Sequence, residues 1–577
     1  MLVLLVVCLA VGVLADSPRV ETAFGPVEGF EYKLKDGRNV NVFLGIPYAK
    51  PPLGELRLEK PQKAEKWTEV KQAKNFSPAC HAHHFGTAQQ LEPPGTHFHE
   101  DCLFMNVIAP AEKSSDPNGY PVLVFIYGGG FEVGSANSYG FKNISENFVS
   151  QGVVFVTFNY RLALLGFFST GDNVAPGNIG LWDQTLALQF IKDTISRFGG
   201  DSNRVTLSGE SAGAASVSAL SYSPHSNHLF KQVIIMSGSL HSPWVTHPGV
   251  VSESLKVAEI LGCKEGSAEI KRCLKTKTIE QIYSAIYENG PAREGIFGIK
   301  FNPRMDGDFL PGDLPTMLRN SPMIPTITGI TDAEGASLVI DESFKTMALA
   351  AVPRANWSTF LAEDMKKYIR KNVVGENHGE AGEFLVKLLE EFYVERPKEN
   401  GIEMTARDYL NRLSQLIGDL WSNTAPYQEA QAKAIHGSPV YLYIENYHNP
   451  TIAETLQLPV RGAFHGNEIL YLFGSSYEAA LGFNENDWEF QKDLLEGFIS
   501  FTKTGKPTVR GKPWEAITEN QPDRFMSFTP NSEMKTGYMK ESNEFWLNEI
   551  CKKVDAEVIK KRLLPCPNRI MIHHTEL

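Results

Sequence analysis

Several short runs along the chain are apolar or β-branched at nearly every position: "PVLVFIY" (Pro121 to Tyr127), "GVVFVTFNY" (Gly152 to Tyr160), "RVTLSG" (Arg204 to Gly209), "QVIIMSG" (Gln232 to Gly238), "IPTITGI" (Ile324 to Ile330) and "PVYLYIE" (Pro439 to Glu445). Continuous apolar runs of this length mark strands covered on both faces, as in a mostly parallel sheet. Helical patterns lie between them, for example "LWDQTLALQFIKDTISRF" (Leu181 to Phe198). Strand alternating with helix predicts an α/β fold built from crossovers.

The start of the chain follows a different pattern. "MLVLLVVCLAVGVLADS" is apolar from Leu2 to Leu14, with Val13 and Ala15 spaced as signal peptidase prefers. The stretch is short for a bilayer span, so residues 1–15 read as a cleaved signal peptide, although the usual basic start is missing. No later segment approaches transmembrane length. The 577 residues are 42% hydrophobic and 21% charged, the balance of a large soluble globular protein. Length alone suggests several domains, yet no repeat or Gly/Ser/Pro-rich linker divides the chain, so 16–573 is read as one unit. A net charge of −12 argues against a nucleic-acid partner, whose phosphates need a basic surface. The basic run "KKVDAEVIKKR" (Lys552 to Arg562) carries mixed charge and reads as a solvated helix face.

Entry into the secretory route changes how other residues read. Cys8 lies in the signal; Cys80, Cys102, Cys263, Cys273, Cys551 and Cys566 remain, an even number, and disulfides are expected in an oxidising compartment. Spacing does not choose among their pairings. The sequons at Asn75, Asn143 and Asn356 become usable for glycosylation. The last four residues, His574-Thr575-Glu576-Leu577, resemble the Lys/His-Asp-Glu-Leu address, with Thr575 in place of Asp. Residues 574–577 are therefore expected to engage a retrieval receptor and keep the protein in the endoplasmic reticulum lumen, secretion being the alternative.

"SGESAGAAS" (Ser208 to Ser216) contains Gly-x-Ser-x-Gly, which is weak evidence alone. Its context strengthens it. "RVTLSG" is a strand and "AGAASVSALSY" is helix-compatible, so Ser211 sits where a strand bends sharply into a helix whose N-terminal N–H groups face a developing oxyanion. "YGGGF" (Tyr127 to Phe131) follows a strand; it is an ordinary turn or the other half of an oxyanion hole. A serine hydroxyl needs a base and an orienting acid, in the chain order serine, acid, histidine. "GITDAEGAS" (Gly329 to Ser337) offers Asp332 and Glu334, which spacing leaves tied; "GAFHGNE" (Gly462 to Glu468) offers His465.

These residues, together with "FLGIPYAKPPLGELRL" (Phe43 to Leu58), "EDCLFMNV" (Glu100 to Val107), "NYRLALLGF" (Asn159 to Phe167) and "GNIGLWDQ" (Gly177 to Gln184), resemble the type-B carboxylesterase/cholinesterase family. In style they are nearest to nematode gut esterases. The resemblance implies an α/β-hydrolase fold with helical insertions forming a gorge. It also implies a Ser211–His465–Glu334 triad, with oxyanion donors from the backbone N–H groups of Gly129, Gly130 and Ala212. Disulfides Cys80–Cys102 and Cys263–Cys273 follow from it, with Cys551 and Cys566 unassigned. The implied activity is hydrolysis of small-molecule carboxylic esters through an acyl-enzyme, without metal or cofactor.

Choline selectivity in the family depends on a tryptophan in the first disulfide loop, whose ring face attracts the quaternary ammonium. Residues 81–101 hold none, although Phe85 and Phe98 are there. Trp244 resembles an acyl-pocket wall, or is a plain core aromatic. Broad action on neutral lipophilic esters is therefore expected, with choline esters as the alternative. A non-catalytic adhesion protein on the same fold is the reading from a different class; the intact triad and the lack of a membrane stalk count against it. His81, His83, His84, His97 and His99 crowd this loop. His-x-His spacing can ligate zinc or copper, but a polar loop near the gorge rim is the expectation.

Overall fold

The computed structural model describes residues 17–82, 92–246, 249–290, 293–294, 298–340, 352–375, 379–398, 401–455, 459–474 and 482–554. The expected signal peptide and retention tail lie outside these residues, as do His83, His84, Phe85 and Cys566.

The core is an 11-stranded sheet. Its strands in chain order are β1 (Phe30–Lys33), β2 (Asn39–Pro47), β3 (Phe104–Pro110), β4 (Tyr120–Ile126), β5 (Val154–Phe158), β6 (Gly200–Glu210), β7 (Gln232–Met236), β8 (Thr326–Thr331), β9 (Val440–Glu445), β10 (Phe525–Phe528) and β11 (Glu533–Lys535). In space they run β11-β10-β9-β8-β7-β6-β4-β5-β3-β2-β1. From β5 across to β10 every pairing is parallel; β1, β2 and β3 at one edge and β11 at the other pair antiparallel. β5, β7, β8 and β9 are buried at every position, which is why they read as unbroken apolar runs.

Each strand expected from the pattern is present, shifted by a few residues at its ends. The expected helix begins earlier, at Ile179, as α1 (Ile179–Thr194), and finishes in a 3₁₀ turn over Ile195–Phe198. The antiparallel edges and β10 escaped the sequence reading. β2 alternates, with Val40 and Val42 buried between exposed Asn39 and half-buried Asn41, so it lacks the continuous apolar signal. As a result β9 is not the last strand of the sheet.

Two of the quoted motifs meet in the core. Arg161, just beyond β5, forms a two-pronged pair with Asp183 on α1: Nε to Oδ2 at 2.8 Å and Nη2 to Oδ1 at 2.6 Å, with the Arg161 N–H also donating to Oδ2 at 3.0 Å. Both side chains are buried. A desolvated ion pair is sustained only by such bidentate geometry, and removing one partner strands the other charge. The pair pins α1 against the sheet next to α2 (Ala212–Tyr222), the helix that follows Ser211.

Both disulfides implied by the resemblance are present, Cys80–Cys102 and Cys263–Cys273. Cys551 is disulfide-bonded as well. Helices fill the long connections between β7 and β8 and between β8 and β9, including α3 (Ala406–Gly418) in the second. Among the described residues no helix is long and apolar enough to cross a membrane.

Candidate active site

Strand β6 ends at Glu210 and α2 begins at Ala212, so Ser211 alone makes the turn. Its backbone is held at φ 56°, ψ −122°, a conformation that side-chain-bearing residues rarely adopt and that persists only where surrounding packing over-determines it. The flanking glycines are steric necessities. A Cβ on Gly209 would lie 2.5 Å from the Gly213 carbonyl, and one on Gly213 would lie 2.0 Å from the Ile126 oxygen. Only glycine lets the elbow and the end of β4 approach this closely.

The "YGGGF" turn follows β4 and presses against the elbow: a Cβ on Gly128 would sit 2.9 Å from Ser211 Cβ. The Gly129 carbonyl is consumed by the N–H groups of Glu132 and Val133, both at 3.1 Å. Among the described residues the N–H groups of Gly129, Gly130 and Ala212 have no acceptor of their own. Three donors on the turn and the elbow are therefore free to bond an incoming group, as an oxyanion hole would need.

Glu334 and His465 come from turns after β8 and β9 that are stitched together by a parallel bridge between Ala333 and Phe464. Glu334 is buried, and its carboxylate is fully used. Oε1 accepts from the Thr331 N–H at 2.8 Å and the Ser237 hydroxyl at 2.6 Å, while Oε2 lies 2.5 Å from His465 Nδ1. A Cβ on Gly335 would be 2.1 Å from the Ser414 carbonyl of α3, so the residue after the acid is glycine because α3 packs directly on it. Among the described residues no hydrogen bond joins Asp332 to the histidine ring; its Oδ1 accepts the Ala463 N–H at 2.7 Å. The tie between the two acids is thus one of position: Glu334 reaches the imidazole and Asp332 braces the loop that carries it.

The other face of the imidazole departs from expectation. His465 Nε2 lies 3.2 Å from Glu210 Oε1, and among the described residues no hydrogen bond joins it to Ser211 Oγ. Burial alone would lower the pKa of His465; Glu334 and Glu210 overcome this and raise it to about 9. Burial pushes Glu210 up to about 7, with the neighbouring Glu334 adding to the rise and His465 opposing it. Beyond lie Glu468, raised to about 8 by burial and Glu334, and Glu445, raised by burial and Glu468. Tyr443 donates to Glu468 at 2.8 Å, and Asn467 donates to Glu445.

Sequence reasoning missed these acids and Ser237. Glu210 and Glu468 stand inside the quoted "GESAG" and "FHGNE", so their positions were visible but their proximity to His465 was not. Ser237 sits at positive φ just after β7, and no local pattern connects it to Glu334.

Trp244 is buried; its indole N–H donates to the Trp421 carbonyl at 2.9 Å, and the two rings stack at 5.5 Å. Phe131, directly after the oxyanion glycines, lies 6.1 Å from Trp244. In the first disulfide loop His99 Nδ1 accepts the Asp101 N–H at 2.9 Å and His81 packs against Tyr283. No metal-binding group of three His, Cys, Asp or Glu side chains occurs among the described residues. Phe98 packs on Ala82 and Val133. Of the sequons, Asn75 and Asn356 are exposed, whereas half-buried Asn143 spends its amide on the Phe473 carbonyl at 2.8 Å.

A family model described as "Carboxylesterase family" matches residues 16–546. The chain is 35% identical over 562 residues to gut esterase 1 of Caenorhabditis briggsae, covering 95% of each chain. It is 34% identical over 546 residues to gut esterase 1 of Caenorhabditis elegans, covering 94% of each. It is also 30% identical over 556 residues to the acetylcholinesterase of Bungarus fasciatus, covering 94% of this chain and 88% of that one.

Proposed function

The chain belongs to the carboxylesterase family and hydrolyses carboxylic esters, and we propose that it does so with Ser211 as nucleophile, His465 as base and Glu334 as the orienting acid. The observation that carries this reading is the 2.5 Å contact of His465 Nδ1 with Glu334, built beside a serine at an elbow. Ser211 Oγ attacks the ester carbonyl carbon while its proton passes to His465 Nε2, and the carbonyl oxygen takes up negative charge facing the N–H groups of Gly129, Gly130 and Ala212. The imidazolium returns that proton to the alcohol oxygen as the C–O bond breaks. Water then attacks the acyl-enzyme by the same route and releases the carboxylic acid. Nε2 faces Glu210, so the ring must turn from Glu210 to Ser211; such hydrogen bonds often tighten only once substrate is bound.

We infer a preference for neutral lipophilic esters. In support, residues 81–101 contain no tryptophan, and Trp244, Trp421 and Phe131 form a buried apolar aromatic cluster adjoining the glycine turn. The comparison of kcat/KM for acetylcholine with its neutral isostere 3,3-dimethylbutyl acetate tests this. Equal or better use of the neutral ester is expected; a strong preference for acetylcholine would establish a cation site and overturn it.

Residence in the endoplasmic reticulum is proposed from the apolar N-terminus and the His574-Thr575-Glu576-Leu577 tail, with a retrieval receptor as partner. Deleting residues 574–577 is expected to move the protein from cells into the medium. Equal retention without the tail would remove this assignment.

A further inference from the structure

We propose that Asp332 is a positioning residue for the hydrolytic reaction: its carboxylate clamps the histidine loop onto the acid loop and so sets the Glu334–His465 geometry. The inference rests on the triad reading above and adds a residue that touches neither substrate nor the reacting atoms.

The clamp is built from successive rungs. Asp332 and Glu334 are two residues apart, as are Ala463 and His465, and the bridge between Ala333 and Phe464 lies between them. Residues spaced by two in extended chain share a face. On the first rung the Ala463 N–H donates to Asp332 Oδ1 at 2.7 Å; on the second His465 Nδ1 meets Glu334 Oε2 at 2.5 Å. The Ala333 N–H donates to the Ala463 carbonyl at 2.9 Å between the two. Asp332 is itself anchored to the sheet, its N–H donating to the Glu445 carbonyl at 3.0 Å and its carboxyl hydrogen-bonding the Asn446 side chain.

The approach is as close as the chain permits. A Cβ on Gly462 (φ 130°) would lie 2.5 Å from Ala333 Cβ and 2.8 Å from Asp332 Oδ1. Asp332 also lines a polar cavity of about 330 Å³ with Glu334, Arg461 and Asn411. The Arg461 N–H also donates to Asn411 Oδ1 at 3.1 Å, so the loop is held on both sides of Gly462, with Asp332 as the pin nearer His465. Ala463 is buried, and without the carboxylate acceptor its N–H would lose its partner and the loop would shift to regain one. Placement errors of about 1 Å cost roughly a hundredfold in rate.

The test compares Asp332→Ala, Asp332→Asn and the wild type in steady-state hydrolysis of p-nitrophenyl butyrate, with thermal midpoints and stoichiometric fluorophosphonate labelling of Ser211 in parallel. Asp332→Ala is expected to lower kcat by roughly 10- to 100-fold with KM within about twofold. Asp332→Asn, whose amide oxygen still accepts the Ala463 N–H, should recover most of that loss at the same thermal midpoint. If Asp332→Ala does not fold, Asp332→Glu carries the test, since an added methylene displaces the acceptor and should lower kcat at least tenfold. Wild-type kcat in Asp332→Ala, or an Asn variant as impaired as the Ala one, would overturn the clamp. Failure of the wild type to take up the fluorophosphonate would instead overturn the triad assignment on which the clamp depends.

Discussion

The Ser211→Ala protein is expected to fold normally and to turn over esters on the order of 10⁶-fold more slowly, a loss of ~8 kcal/mol in transition-state stabilisation. The fold should tolerate the change because Ser211 Oγ makes no hydrogen bond among the described residues; the elbow is held by its backbone, with the Ser211 N–H donating to the Met236 carbonyl at 2.9 Å. The open N–H groups of Gly129, Gly130 and Ala212 survive the substitution, so residual rate above the uncatalysed reaction should remain. The check is kcat on p-nitrophenyl butyrate together with the thermal midpoint. Near-normal turnover by a well-folded mutant would remove Ser211 as nucleophile.

The second large effect is expected at the acid. Glu334→Gln should lower kcat by about 10⁴-fold, and the reason lies in how the carboxylate is spent. Oε1 receives two donors, from Thr331 and Ser237. In the variant the amide oxygen would take that place, leaving the NH₂ to face His465 Nδ1. Nδ1 would then have to accept, and the ring proton would move to Nε2, the nitrogen that must receive the serine proton.

The same variant should move the pH profile. Catalysis needs His465 unprotonated, and Glu334 with Glu210 raises its pKa to about 9, against burial. In the wild type, activity should therefore climb with pH along a limb above the ordinary imidazole range. Removing the Glu334 charge lowers the His465 pKa and shifts that limb toward lower pH, while the maximal rate falls. Glu210 and Glu468, which also face the ring, stay in place. A limb at unchanged pH, or a kcat within tenfold of wild type, would mean that Glu334 does not govern the imidazole.

Much of this site could be read before any coordinates, and the reason is that its parts are local. Ser211 is marked by a strand, a tight bend and a helix that are contiguous, and the strain at φ 56° is announced by Gly209 and Gly213 on either side. The oxyanion turn is likewise a run of glycines following a strand. The central strands were legible because burial on both faces makes them apolar throughout. Strand β2, inside the antiparallel part of the sheet, was not, since its alternating burial and its irregular pairing with β3 break the run.

Residue types in order determined the fold class and pointed to Ser211, His465 and, through resemblance, the glutamate before Gly335. What only the tertiary structure decided is which groups share space across long stretches of chain. Glu334 meets His465 because the turns after β8 and β9 are neighbours in a parallel sheet, although 131 residues separate them. Asp332, equally plausible by spacing, is turned to the Ala463 N–H by the same bridge. Glu210 becomes the neighbour of Nε2, and Ser237 of Glu334, because β6, β7 and β8 end side by side. Local pattern encodes which way a strand or turn goes; electrostatic partners are set by the lateral order of strands, which no short stretch of sequence contains.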